Sequence, residues 1–350
     1  MSDPVDYAIT YHVEAERETP SGVLYREIGR QVELADRLGF AHAWFAEHHG
    51  HAHIGHCPHP LAYATYLAAR TERIGLGAAV VCVNLHHPVL VAEQIAMLDV
   101  LSGGRASVGL GSGSTSSEFA LYGVADMAPD ARRARFVEIL DLMEAVWTGE
   151  PFEWRGEHFQ LRSPGCLPRP LDRIPDKLWI GANSPDSARL AGARGYGLQL
   201  SNLRTIPDLR MLIAAHREGR AEADGPLGTE RIAASAPLYV AESDARALDE
   251  FGPALEILLR ENRRARPDAN PGAQPRTPRE QLQALRFTVG SPARCVDELL
   301  RLREQLGFTT LNLRPRWGGM TPEMVESSLR LFAERVRPEL ERAWPSRSFG

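Results

Sequence analysis

Short, continuous apolar runs alternate along the chain with longer stretches whose apolar positions recur every three or four residues. The runs at 5–11, 40–45, 74–83, 106–110, 177–181, 198–201, 232–240 and 310–313 read as strands. The third is apolar throughout, as a parallel strand buried on both faces is. Between the runs the spacing turns helical. Leu24, Ile28, Gln31, Val32, Ala35 and Leu38 share one face of a helix that Gly39 stops. Further helices are predicted over 61–70, from Pro88 to Leu101 (ended by Ser102-Gly103-Gly104), 185–194, 207–216, 244–262, 292–306 and 322–340. A long helix after Pro129 carries Phe136, Ile139, Leu140, Met143, Val146 and Trp147 on one face. Residues 152–161 read as a small hairpin insertion. The stretch 263–278 is rich in Pro and Arg and marks a mobile insertion within 263–290.

Eight strands, each leading into a helix, form the pattern of a (β/α)8 TIM barrel with insertions between strands, one domain spanning 1–350. A doubly wound sheet is the rival, and eight units favour closure. In a barrel, chemistry sits at the C-terminal ends of the strands. That rule selects residues 11–12, 46–49, 79–84, 111–117, 182–187, 201–202, 239–241 and 314–317.

Charge narrows the function. The 350 residues carry 40 basic and 45 acidic side chains, a net charge of −5. That balance excludes a nucleic-acid footprint and a polybasic membrane surface. It suits a small-molecule enzyme. Lys177 is the only lysine, which reads as genome bias and not chemistry. No signal peptide is expected at the amino terminus, and no run is long enough to span a membrane. Cys57, Cys82, Cys166 and Cys295 show no metal-ligand spacing and no disulfide framework. A cytoplasmic location follows as the expectation.

Four features could carry chemistry. Histidines crowd the chain after the second strand: Glu47-His48-His49, then His51, His53, His56 and His59. His51-Ala52-His53 could open a barrel metal site, but only His158 and His216 follow His87 and no Asp ends the eighth strand. No metal is therefore expected, and a polar loop covers most of these residues. His48 differs. It follows a buried strand directly, where an imidazole can exchange a proton at neutral pH. The run Gly109-Leu110-Gly111-Ser112-Gly113-Ser114-Thr115 is either a flexible turn or a place where backbone approaches a cofactor. Asn183-Ser184-Pro185-Asp186-Ser187 is an ordinary helix cap, or an anion site at a helix start. Ala78-Ala79 is either core packing or room for a flat ring against the backbone.

Together these pieces resemble one family. Trp44-Phe45-Ala46-Glu47-His48-His49 is similar to the strand-two signature of bacterial luciferase-like flavin monooxygenases. The block from Ile74 through His87-Pro88 and Ala92-Glu93-Gln94 to Arg105, then Gly109–Gly113 with Glu118-Phe119 and Tyr122-Gly123, resembles the family's most distinctive region. The turn at 182–187 and the helix after it also match. The resemblance implies reduced FMN in the barrel mouth, supplied by a separate flavin reductase. It implies O2 uptake through a flavin C4a-peroxide and insertion of one oxygen atom into a small organic substrate. Ala78 and Ala79 would lie under the isoalloxazine, with Gly111, Ser112, Ser114, Thr115 and Asn183 beside the cofactor. Ser184 and Ser187 would meet the phosphate, and His48 with Glu47 would be catalytic. A cis peptide is implied at Ala78–Ala79, and a homodimer is expected. Two departures stand out. Ser112 occupies the place where luciferase subunits carry a phosphate-binding arginine, and Thr115 replaces an aromatic residue. The resemblance therefore implies weaker flavin binding or an arginine from elsewhere. Alternatives are F420-dependent hydride transfer on the same barrel, a non-catalytic flavin-binding protein, and a His-rich metallohydrolase.

Overall fold

The computed structural model describes residues 5–15, 19–51, 53–124, 127–172, 174–223, 225–265 and 277–344. The amino-terminal half runs β1 (Asp6–Tyr11), α1 (Ser21–Arg37), β2 (His42–Phe45), α2 (Pro60–Ala68), β3 (Gly75–Ala78), β4 (Val81–Cys82), α3 (Pro88–Leu101), β5 (Val108–Gly111), α4 (Ser116–Leu121) and α5 (Pro129–Trp147). There follow β6 (Phe152–Arg155), β7 (Gln160–Ser163), β8 (Leu178–Gly181), α6 (Pro185–Ala193), β9 (Gly197–Leu200), α7 (Ile206–Ala221), β10 (Ile232–Val240) and α8 (Asp244–Ala265). The chain ends with α9 (Pro278–Ala284), β11 (Thr288–Gly290), α10 (Pro292–Leu306), β12 (Thr310–Arg314), α11 (Pro322–Leu331) and α12 (Arg337–Ala343).

All eight anticipated strands become barrel staves. Parallel pairing runs β3-β2-β1-β12-β10-β9-β8-β5-β4. β3 and β4 are one stave broken in the middle, and the break is where the ring closes. Leu76 donates to Arg105 O and Ser107 donates to Leu76 O, both at 2.9 Å, while Val81 and Cys82 pair with Leu110 and Gly111. The result is a nearly closed (β/α)8 barrel of nine strands.

Strand alternation sorts the side chains. Ile9, Phe45, Leu76, Ala78, Leu110 and Leu198 point outward into the main core under the helices. Ala8, Trp44, Trp179 and Ala233 form a separate cluster inside the barrel. The two indoles meet edge-on, with ring centres 5.2 Å apart, and both donate to Ser107 Oγ, at 3.1 and 3.0 Å. They fit because a neighbouring position is Gly197, where a Cβ would overlap the Trp179 ring.

Three expectations change. The cis peptide stands at Ala79–Val80, one step later than the resemblance implied, because Ala78 still pairs with Phe45 in the strand ladder and the break falls after it. Within the expected insertion over 263–290, part of the chain forms regular structure. Residues 266–276 lie outside the described residues, but 278–290 hold α9 and β11. Thr277 and Glu280 form a reciprocal capping box, β11 pairs with β10, and Phe287 packs 4.5 Å from Trp317. The lone lysine is also structural: Lys177 pairs with Asp99 in the core. The hairpin forms as β6 and β7, antiparallel.

Candidate active site

The C-terminal ends of β2, β4, β5 and β8 surround a cavity of about 360 Å³. Its floor is Ala79, Val80, Gly111 and Gly181. A Cβ on either glycine would come within 2.6 Å of a Val80 methyl, so the two strands can approach only as glycine. Ala79 reaches this floor and packs on the inner cluster. Ala78 does not reach it, since alternation turns its methyl into the outer core.

One wall carries a histidine and a carboxylate. His48 follows β2, and its Nδ1 lies 3.0 Å from Glu118 Oε1. The same oxygen accepts from the His49 backbone N–H at 3.1 Å, and His51 Nε2 stands 3.5 Å away. Burial would raise the Glu118 carboxyl. The hydrogen bonds from His48 and the His49 amide, with the nearby imidazoles, outweigh it and hold the pKa below the ordinary value. A neutral His48 ring that donates from Nδ1–H carries its lone pair on Nε2, the atom left for proton exchange. His12 also lines the cavity, its ring centre 5.8 Å from that of His48, and burial first and then Arg314 push its pKa well down.

Glu47 lines the same wall, but its carboxylate is already engaged. Oε1 bonds His49 Nε2 at 2.8 Å and His86 Nε2 at 2.7 Å, and Oε2 accepts from the Cys82 amide at 3.2 Å. These bonds tie the loop after β2 to the turn after β4.

The opposite wall carries hydroxyls, a helix start and guanidinium groups. Ser184 caps α6, accepting from the Ser187 amide at 3.3 Å, and the two hydroxyls are 3.0 Å apart. Asn183, Ser112, Ser114 and Thr115 line the rim beside them. Arg132 and Arg133 face the same cavity from the first turn of α5. Arg132 donates to Gly113 O at 3.2 Å and lies 4.9 Å over the Phe119 ring; Arg133 pairs with Asp186. Asn84 ties this wall together by donating to Ser112 O at 2.9 Å and Arg132 O at 3.2 Å.

Sequence reasoning passed over Glu118, Arg132 and Arg133 as site residues. The available signal for the arginines was two adjacent cations near the start of the helix that opens at Pro129. Glu118 sits in a helix of six residues, too short to show periodicity.

A sequence profile of luciferase-like monooxygenases matches residues 4–310. The chain belongs to that family. It is similar to the oxygenase component of flavin-dependent trigonelline monooxygenase from Acinetobacter baylyi, 27% identical over 224 residues, 64% of this chain and 61% of the relative. It is also similar to an F420-dependent glucose-6-phosphate dehydrogenase from Beutenbergia cavernae, 31% identical over 243 residues, 68% of this chain and 70% of the relative. Among solved structures, monooxygenase RslO1 from Streptomyces bottropensis superposes with a TM-score of 0.84 at 28% identity, over 96% of this chain and 100% of the other. Against two of the curated relatives the match takes in only 47% and 61% of the relative's own length.

Proposed function

We propose that this chain is the oxygenase of a flavin-dependent monooxygenase, receiving reduced FMN from a separate flavin reductase and acting on a small organic substrate. The observation that carries the reading is the pairing, in one cavity, of the His48–Glu118 couple with an anion cradle. The donor set fits FMN. Two serine hydroxyls, a helix N-terminus and two guanidinium groups suit a phosphate, and the glycine-backed floor of Ala79 and Val80 suits a flat ring. Reduced FMN, when bound, activates O2 for transfer of one oxygen atom to the substrate.

The chain's own residues then do four things. Ser184, Ser187, Arg132 and Arg133 hold the phosphate end. Ala79, Val80, Gly111 and Gly181 would back the ring. Ile180 and Phe136 add apolar wall that excludes water. His48, fixed by Glu118 through Nδ1, gives or takes a proton at Nε2.

Replacing Ser184 and Ser187 together with Ala is expected to weaken FMN binding by about 1.5–3 kcal/mol, the range for a hydrogen bond to a charged group. Fluorescence titration with FMN measures it, and unchanged affinity rejects the phosphate assignment. The similarity to an F420-dependent dehydrogenase favours a second reading, hydride transfer with F420. Parallel titrations with FMN, reduced FMN and F420 separate the two, since only one cofactor family should bind tightly.

The homodimer belongs to this proposal. On α3, Leu90, Met97 and Leu101 leave about half or more of their surface exposed. Met97→Asp combined with Leu101→Asp is expected to convert a dimer to a monomer in light scattering. A wild-type monomer, or a variant that stays dimeric, refutes this face. A reducing, cytoplasmic setting is proposed on the four free thiols. No helix among the described residues is long and apolar enough to cross a membrane.

A further inference from the structure

The proposed reaction leaves one buried cluster unused. Glu47 and His49 follow β2, and His86 follows the short helical turn Val83–Leu85 after β4. Both imidazoles aim Nε2 at the same carboxylate oxygen, at 2.8 and 2.7 Å, and the three donor atoms lie within 4.8 Å of one another. We propose that Glu47, His49 and His86 form a binding site for one divalent transition-metal ion of the zinc type, which clips the loop after β2 to the turn after β4.

Four observations point to a metal ion. The donor set, two imidazole nitrogens and one carboxylate, is the set that zinc and its first-row neighbours take, and hard cations such as magnesium prefer all-oxygen sites. The spacing is close to what a metal needs. Bonds of about 2.0–2.1 Å in a tetrahedral shell place adjacent donors about 3.3–3.4 Å apart, so the two N···O contacts, 2.8 and 2.7 Å, must open by about 0.5–0.7 Å, within the reach of small side-chain rotations. The outer shell is in place: His49 Nδ1 lies 2.9 Å from Tyr122 Oη, so a ring that binds through Nε2 as neutral imidazole donates its Nδ1–H to that oxygen. A further ring stands ready. His59 has its centre 6.3 Å from that of His49 and 6.2 Å from that of His86, and its side chain makes no cap bond to α2.

The charge supports the same reading. The Glu47 side chain is 1% exposed. A cation of charge two satisfies a buried carboxylate more fully than hydrogen bonds alone do.

The test uses the full chain stripped with a chelator and titrated with Co2+ alone, then Zn2+. One Co2+ per chain is expected, with visible absorption that Zn2+ displaces. His86→Gln should weaken binding by about 100-fold or more, since loss of outer-shell partners alone costs 10–100-fold. The exposed neighbour His87→Gln should leave binding unchanged. Failure of the wild type to bind Co2+, or equal binding by the two variants, overturns the proposal. Should His86→Gln not fold, X-ray absorption of the wild-type Co2+ complex decides: at least two imidazoles in the inner shell support the site, and fewer than two refute it.

Discussion

His48→Ala is expected to slow turnover by about 10²–10⁴-fold, the worth of a positioned general acid or base, while FMN affinity stays near that of the native chain. The two readouts separate because the ring and the phosphate cradle occupy different walls. His48 meets Glu118 at 3.0 Å, whereas Ser184 and Ser187 sit at the start of α6. Glu118 acts through His48. It is an ionised, 3% exposed side chain that fixes Nδ1 and so presents Nε2. Glu118→Gln should therefore lower kcat with little change in KM, because the amide still fills the space but no longer selects the ring's tautomer. The assay is substrate-stimulated oxygen uptake with a flavin reductase and FMN. His53→Ala is the control: its ring bonds Ala15 O at 3.0 Å, outside the cavity wall. A His48→Ala enzyme that turns over at the native rate moves the proton role elsewhere, and His12 is the next group to test.

The barrel was legible because each stave is an apolar run bounded by glycine, proline or a polar cluster, and the long helices between them, such as α1, show their own period. The break inside the third stave was not, since Val81 and Cys82 are as apolar as Gly75–Ala78 and periodicity carries no mark of the interruption. That break also decides which alanine meets the cavity. Alternation counted from β3 turns Ala78 outward, and only the pairing with Phe45 reveals the parity. In 278–290 the Pro- and Arg-rich composition upstream hid a capped helix and a strand whose partner, β10, lies about fifty residues earlier. Such long-range pairing leaves no local signal. The histidine density after β2 was visible, but its sorting was not. His48 goes to Glu118, seventy residues on, and His49 meets His86 on one carboxylate oxygen. Arg132 and Arg133 of α5 carried no signal of their own, and only the fold brings them to the wall that holds Ser184.

Lys177→Ala is expected to destabilise the fold by about 3–5 kcal/mol, the cost of leaving one partner of a buried ion pair behind. Asp99 is fully buried on α3, and Lys177, 8% exposed just before β8, supplies its counter-charge. The ammonium also donates to Gly104 O at 3.2 Å and stands 3.3 Å from Asp172. Three acceptors around one compact cation explain a lysine in a chain whose other basic residues are all arginine. A planar guanidinium delivers its donors as a rigid fork and is bulkier, so Lys177→Arg should also lose stability, though less than Lys177→Ala. Replacing both partners with apolar residues will not restore the native value, because Asp99 Oδ2 accepts the Leu171 backbone N–H at 2.8 Å. Removing that acceptor strands a donor, which costs about 1–3 kcal/mol. Urea unfolding measures all three variants. A Lys177→Ala loss below about 1 kcal/mol would show that water or Asp172 rearrangement already compensates the Asp99 charge, and would return the lone lysine to an accident of composition.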